Sequence, residues 1–386
     1  MSRWHSYMNS STKIIQSYKG ESPFSLYLKD FFRSEKKMGG TDRKWIRHFT
    51  FSYFRLGKSL PEISLENTIT AGLFLCNTKS DAWADLLPEE WQAAINKSLS
   101  EKIDILRKTY PNFELGNIFP LQNEFTENLD FSSFSTAHLH QPDVFIRIRP
   151  GKKEVVFSAL NLKEIPFCVV EENALAFKAD TKLDEVLSVG KDVIIQDFSS
   201  QKVSDFFCNI SPKNIWDCCA GSGGKSILAK DFFPNTQLYV SDSRENILHN
   251  LSKRFREADI INYQLLIADL AKEKLQLAEK FDLVICDVPC SGSGTWGRAP
   301  ENLVYFTEKK LAHYISLQRK IVENAIQQVN ESGYFLYITC SVYEKENEGA
   351  INFILEKFPF KVVEKKIIKG FEHRADNMFA ALLQKI

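Results

Sequence analysis

Three short stretches hold the residues best suited to chemistry. "DCCAGSGGKS" spans Asp217 to Ser226, "CDVPCSGSGTWGRAPE" starts at Cys286, and "TCSVYEKENE" starts at Thr339. The first is small, glycine-rich and carries a lysine, so its backbone amides can come close to a ligand. The other two each place a cysteine, Cys290 and Cys340, among Pro, Gly and Ser residues where a thiol stays within reach of solvent. A thiolate is a nucleophile able to add to an electron-poor carbon. A cysteine taken at random is more often a small core residue. The settings of these two reverse that preference.

The glycine loop fits two phosphate-binding templates incompletely. A P-loop requires G-x-x-x-x-G-K-[ST]; "GKS" supplies its end, but the first glycine falls on Cys219. A dinucleotide fingerprint requires G-x-G-x-x-G; Gly221 and Gly223 fit it and Ser226 does not. The context is more specific. "NIWDCC", "TQLYVSD", "YQLLIAD", "FDLVICD" and "GYFLYITC" are short apolar runs that each end in Asp or Cys. Segments with helical character separate them: Gly224 to Phe233, Arg244 to Ala258, and Glu308 to Val329. Continuous apolar strands alternating with helices predict a parallel sheet covered on both faces, a Rossmann-like α/β fold. Ligands of such sheets sit outside the carboxyl ends of the strands.

A loop after the first strand, Asp242 after the second and Asp269 after the third suit S-adenosylmethionine. Asp242 is placed for ribose hydroxyls and Asp269 for an adenine amine. The loop, Cys219, Ala220, Gly221, Ser222, Gly223, Gly224 and Lys225, is placed for the amino-acid tail. Each aspartate alone is more often a strand-end or helix cap; their recurrence at successive strand ends favours the ligand reading. If the fourth and fifth strands are neighbours, Asp287, Cys290 and Cys340 converge on one cleft beside that cofactor. The adjacent Cys218 and Cys219 are expected to be scaffold.

Upstream, residues from about 10 to 110 carry helical periodicity. "SPFSLYLKDFFRSEKK" gathers Phe24, Leu26, Leu28, Phe31 and Phe32 mainly on one side, with Ser22 and Pro23 at its start. "TDRKWIRHFTFSYFRLGKSL" follows Gly39 and Gly40, with Thr41 or Asp42 as its cap. From Leu121 to His140 the chain turns polar and reads as a linker. "DVFIRIRP", "KKEVVFSALNLKE", "PFCVV" and "ALAFKA" then predict a β-α-β-β module. Arg147 and Arg149 on its first strand would suit RNA backbone contact; solvated arginines on a plain connector are the equal alternative. The expected division is helical to residue 125, α+β from 126 to 190, and catalytic from 191 to 386.

The chain has 386 residues, 44% of them apolar, with 49 Lys/Arg balanced by 49 Asp/Glu. That is enough for a large core, and there is no net charge to announce a polyanionic partner. Residues 1–60 nevertheless hold twelve Lys/Arg against four Asp/Glu. A basic face for nucleic acid and a solvated helical face are equal readings of that excess. The first residues lack the apolar core of a signal peptide, and no run approaches the roughly 18 apolar residues of a membrane span. None of the eight cysteines forms a CxxC pair, so no zinc site is expected. A cytoplasmic protein with reduced thiols, mostly in the core, is the simplest reading.

The "DVPCSGSG" and "TCS" motifs, with the Gly-Lys loop upstream, resemble the RNA 5-methylcytosine methyltransferases, including the bacterial Sun/Fmu type that acts on small-subunit ribosomal RNA. "VIIQDFSSQ", "LQRKIVENA", "SVYEKENE" and "DNMFAALL" resemble further motifs of that family. "FFRSEKKMGGTDRKWIRHFTFSYFR" is similar to the NusB-like helical domain of its bacterial members. Two departures stand out. Gly221 and Ser222 replace the Ala-Pro usual in the loop, and Asn377 and Met378 interrupt the usual D-G-F-F.

The resemblance implies S-adenosylmethionine-dependent methylation of a cytosine in RNA, ribosomal RNA first and transfer RNA second, by a monomer without metal or membrane. It assigns Cys340 as the nucleophile for carbon 6, Cys290 to release of the methylated product, and Asp287 to the N3/N4 edge of the base. In a closed site Asp287 would carry a raised pKa. Lys225 gives electrostatic support and Arg298 contacts RNA phosphate. Swapped cysteine roles are the main alternative. Two other classes stay in view: an ATP-binding P-loop enzyme, and a non-catalytic RNA-binding factor on the same fold.

Overall fold

The computed structural model describes residues 3–80, 83–275 and 277–386. The chain divides into two compact units. One comprises Met1–Asn123, Asp130–Gln141 and Trp296–Glu308, and the other Glu124–Leu129, Pro142–Thr295 and Lys309–Ile386. Residues 142–190 thus share a unit with the large sheet rather than standing apart as a connector.

The described residues of the first unit form helices and no strand. Its longer helices are Arg3–Ser17, Phe24–Ser34, Gly40–Arg55, Leu65–Cys76 and Leu99–Thr109. Their apolar faces bury Ile14, Phe24, Phe49, Phe54, Phe74 and Leu106. The helix at Gly40 is capped two or three residues earlier than the sequence suggests. Gly39 is the N-cap, and Asp42 accepts its backbone N–H at 2.7 Å from the third helical position. The stretch read as a polar linker contains the helix Phe131–Ala137, capped by Asp130. Phe134 explains the difference, because it is buried against Phe119 and His138. Arg55 joins the separate pieces of this unit. Its guanidinium donates to the carbonyls of His138, His140 and Gly297 and to the Gln141 side chain.

The second unit contains two sheets. The smaller is antiparallel, of β1 (Val144–Ile148), β2 (Cys168–Glu171), β3 (Ala174–Phe177) and β4 (Val193–Ile195), in the order β2-β3-β1-β4. The helix Lys153–Leu162 buries Val156 and Leu160 in the same core as Ile146, Ile148, Leu175 and Phe177. The expected β-α-β-β module is therefore present, with β4 added beside β1.

The larger sheet consists of β5 (Asn214–Asp217), β6 (Gln237–Asp242), β7 (Tyr263–Ile267), β8 (Phe281–Asp287), β9 (Val329–Thr339), β10 (Phe360–Ile368) and β11 (Met378–Lys385). Their order is β10-β11-β9-β8-β5-β6-β7. The five strands β9, β8, β5, β6 and β7 are parallel, and β11 runs antiparallel to both β9 and β10. Separate apolar cores line its two faces, one around Ile215, Leu283 and Ile338 and one around Trp216, Val284 and Tyr337. From β5 the chain runs outward through β6 and β7, then returns to build β8 on the opposite side of β5. The crevice at β5/β8 is thus the topological switch point where ligands bind in such sheets.

β7 departs from the expectation of burial on both faces. Leu265, Leu266 and Ile267 are 40%, 37% and 51% exposed. β7 is an edge strand, and the described residues between it and β8 form no helix to cover it. Among the described residues, no helix is long and apolar enough to cross a membrane, and no cluster of His, Cys, Asp and Glu could hold a metal.

Candidate active site

A cavity of about 640 Å³ opens at the carboxyl ends of β5, β6, β8 and β9. Six loop residues line it: Cys219, Ala220, Gly221, Ser222, Gly224 and Lys225. Asp242, Asp269, Asp287, Cys290 and Cys340 complete the set that the strand-end argument selects. Leu317 and Ile321, from the helix Glu308–Ala325, supply an apolar wall.

The loop turns into its helix through Gly223, the N-cap, with φ +84°. A side chain there would be strained and its Cβ would lie 2.7 Å from Phe255 and 3.1 Å from Leu251. Gly223 is therefore buried and shapes the loop from beneath instead of lining the cavity. Asp242 braces the same loop by accepting Gly221 N–H at 3.0 Å. It also accepts Arg244 through its backbone N–H and both ends of its guanidinium, at 2.9–3.0 Å. Burial would raise the Asp242 pKa; the Arg244 hydrogen bonds outweigh it and hold the carboxyl below its ordinary value. Asp269 lies just beyond β7. Lys272, at 2.9 Å, holds it low.

Lys225 is tied down within the cavity wall. Its Nζ donates to Asp287 at 3.0 Å and to Ser200 at 2.8 Å, and its side chain is 9% exposed. A P-loop lysine would instead face phosphate. The pairing makes Asp287 Oδ2 the acceptor of a charged donor. Ser200 lies in the "QDFSSQ" stretch, whose resemblance to a family motif was the available signal for it.

Because β8 and β9 are adjacent, the two cysteines meet. Cys290 Sγ and Cys340 Sγ are 3.2 Å apart. The Cys340 thiol contact and burial push the Cys290 thiol up. Burial does the same to Cys218 and Cys286, which are enclosed in the sheet core. Cys168 and Cys208, by contrast, are exposed. The expectation of mostly core cysteines fails at Cys168 because β2 is an edge strand.

Beneath the two thiols lies a polar cluster that sequence reasoning did not resolve into roles. It comprises Ser291, Ser293, Gln318, Ser341, Glu346 and Asn347. The non-family "DNMF" sequence fits the site as well. Asn377 N–H donates to Gly294 O at 2.9 Å, and Gly294 N–H donates to Cys340 O at 2.8 Å. A Cβ at Gly294 would lie 2.2 Å from the Asn377 carbonyl, so this crossing requires glycine.

Two arginine expectations are revised. Arg147 and Arg149 do not offer free charge to a partner, since both pair with Asp231 at 2.7 Å. Their side chains are 8% and 14% exposed. Burial lowers the Arg147 pKa, against the opposing pull of Asp231. Arg298 is exposed but belongs to the helical unit, so it is not among the residues of this cavity.

Asp217, at the end of β5, carries a pH signature. It is fully buried, accepts Ser226 Oγ at 2.5 Å, and its Oδ1 has no partner. Burial pushes its carboxyl up to about 7. The folded protein therefore holds a proton that the unfolded chain releases near pH 3.9, at about the ordinary aspartate value. This contribution to stability is fully present below the unfolded value and is lost as pH rises through about 7. Asp217→Asn removes the titration. Melting curves should show the variant gaining on the native protein between about pH 4 and pH 7; parallel curves would contradict the assignment.

Residues 209–382 match the family described as "16S rRNA methyltransferase RsmB/F". The ribosomal RNA small subunit methyltransferase B of Vibrio cholerae serotype O1 is 27% identical over 168 residues, 43% of this chain. The match spans 38% of the Vibrio protein, about two-fifths of its length. The crystal structure of PH0851 superposes with a TM-score of 0.70 at 18% identity, covering 98% of both chains. NSun6 from Pyrococcus horikoshii, solved with SFG, gives 0.57 at 16% identity, covering 67% of this chain and 96% of that one. At these identities the structural likeness shows a shared Rossmann-like fold. Residues 209–382, somewhat under half of the chain, are thus similar to the RsmB/F methyltransferase family.

Proposed function

We propose that this protein methylates carbon 5 of a cytosine in RNA, ribosomal RNA in the first place, through a covalent bond between Cys340 and carbon 6. One observation carries the reading: two thiols 3.2 Å apart at adjacent strand ends, opening on a cavity that also holds three strand-end aspartates. A binding factor would need neither thiol.

S-adenosylmethionine fits the donor set. Asp242 would hold the ribose hydroxyls and Asp269 the adenine amine, while the amides of the loop that Gly223 shapes would take the amino-acid end. When bound, the cofactor supplies an electrophilic methyl group. The protein's own residues make the ring able to accept it. Cys340 Sγ bonds to carbon 6, and the carbon 5–carbon 6 π electrons move to carbon 5, which becomes nucleophilic. Asp287, fixed by Lys225, accepts from the exocyclic amine and orients the ring. After methylation carbon 5 gives up its proton to a base, the electrons return to the ring, and the sulfur–carbon 6 bond breaks. Cys290, in contact with Cys340, is placed to assist that release. The base must be unstacked to reach the two thiols.

Bisulfite sequencing of total RNA from a deletion strain tests the function and the substrate together. One cytosine should lose its methylation, and purified protein with labelled S-adenosylmethionine should restore it. Loss in transfer RNA would move the substrate class. An unchanged methylation map, together with no transfer to any RNA in vitro, would overturn the reading.

A further inference from the structure

The two cysteine loops share one anchor, and it is a buried carboxylate. Glu346 has no exposed surface and draws four donors. Its Oε1 accepts Ser291 N–H and Gln318 Nε2–H, each at 2.8 Å. Its Oε2 accepts the hydroxyls of Ser291 and Ser341, each at 2.5 Å. Ser291 directly follows Cys290, and Ser341 directly follows Cys340. One carboxylate therefore fixes the residue after each thiol, although the two loops leave different strands. Burying a charge is costly unless every lone pair is used. Here four donors meet that demand, and burial still raises the Glu346 pKa against their pull.

The neighbouring contacts hold the clamp itself in place. Tyr337 OH donates to Glu346 O at 2.8 Å. Asn347 Nδ2 donates to Ser341 O at 3.0 Å, and Asn347 Oδ1 accepts Thr339 Oγ1 at 2.6 Å. Glu346 holds the thiols through the serines that follow them, and its charge also helps push the Cys290 thiol up.

We propose that Glu346 is the positioning residue that holds Cys290 and Cys340 together as a working pair. This rests on the proposed function only in that the pair does chemistry; the pairing itself can be measured without RNA. Diamide provides that measurement. Two thiols lose two protons and two electrons to form a disulfide, while its N=N bond is reduced to N–H. The native protein should form the Cys290–Cys340 disulfide readily, as read by peptide mass spectrometry.

Glu346→Gln keeps the side-chain size but turns one acceptor oxygen into a donor facing donors. It should slow the disulfide and lower kcat, each by about 100-fold, the scale of a misplacement of about 1 Å. KM for S-adenosylmethionine should stay near native, which general unfolding would not allow. Ser291→Ala with Ser341→Ala removes the two hydroxyl links, keeps the carboxylate, and should give the same pattern more weakly. It serves if the Glu346 variant does not fold. Native disulfide rates and native kcat in the folded variants would overturn the proposal. Slowed disulfide formation in variants of a protein that methylates no RNA would sustain the clamp and remove the proposed function instead.

Discussion

Cys340→Ala is expected to abolish RNA methylation, by at least about a thousandfold in kcat, because the covalent step has no alternative route. Cys290→Ala should act differently. Carbon 6 attack and methyl transfer survive, but release stalls, so a covalent protein–RNA adduct accumulates and resists denaturing electrophoresis. The geometry makes this pair of outcomes informative. The sulfurs are 3.2 Å apart, so a cytosine reachable by one is reachable by the other, and position alone does not separate their roles. The chemistry does. A thiol pushed up by its neighbour and by burial, as Cys290 is, holds little thiolate at neutral pH. Full activity in Cys340→Ala with loss in Cys290→Ala would exchange the roles. An adduct in neither variant would remove the covalent step.

The site was more legible in the sequence than the arrangement that supports it. Strand-end positions could be read because a parallel sheet puts its ligands at one edge, and short apolar runs ending in Asp or Cys mark that edge. The convergence of Cys290 and Cys340 depended on β8 and β9 being neighbours, and they are. Glu346 was out of reach for a different reason. Its motif could be quoted, but a glutamate followed by Asn and Glu reads as a helix start with solvated charges. Only the fold shows that the turn faces inward, so that Ser291, fifty-five residues upstream, lands on it. The polar residues around Phe134 hide it in the same way, and they give the segment it anchors the look of a linker. The arginines failed through pairing. Arg147 and Arg149 occupy a strand that suits RNA contact, and nothing in that strand reveals that Asp231, on the helix beginning at Gly224, takes both charges.

That triad sets the largest expected effect on stability. Asp231→Asn should destabilise the protein by about 3–5 kcal/mol, the cost of leaving buried charge uncompensated. An exposed ion pair would give only about 0–1 kcal/mol. The direction follows from what stays behind. Arg149 would keep two backbone carbonyl acceptors, Gly190 O at 3.2 Å and Lys191 O at 3.4 Å, and Arg147 would keep Gln196 Oε1 at 3.0 Å. Arg147 Nη2 already lacks a partner, so the site has little reserve. Urea denaturation followed by tryptophan fluorescence measures the loss. RNA binding separates this structural role from the one the sequence suggested. If Arg149 faced phosphate, Arg149→Met would make the dependence of affinity on salt shallower by about one ion. Paired to Asp231, it should leave that slope unchanged in whatever folded fraction remains. The Asp231 variant should bind RNA with the native slope as well, because the charges it disturbs lie between the small sheet and the helix that begins at Gly224. A shallower slope with native stability would return these arginines to the RNA.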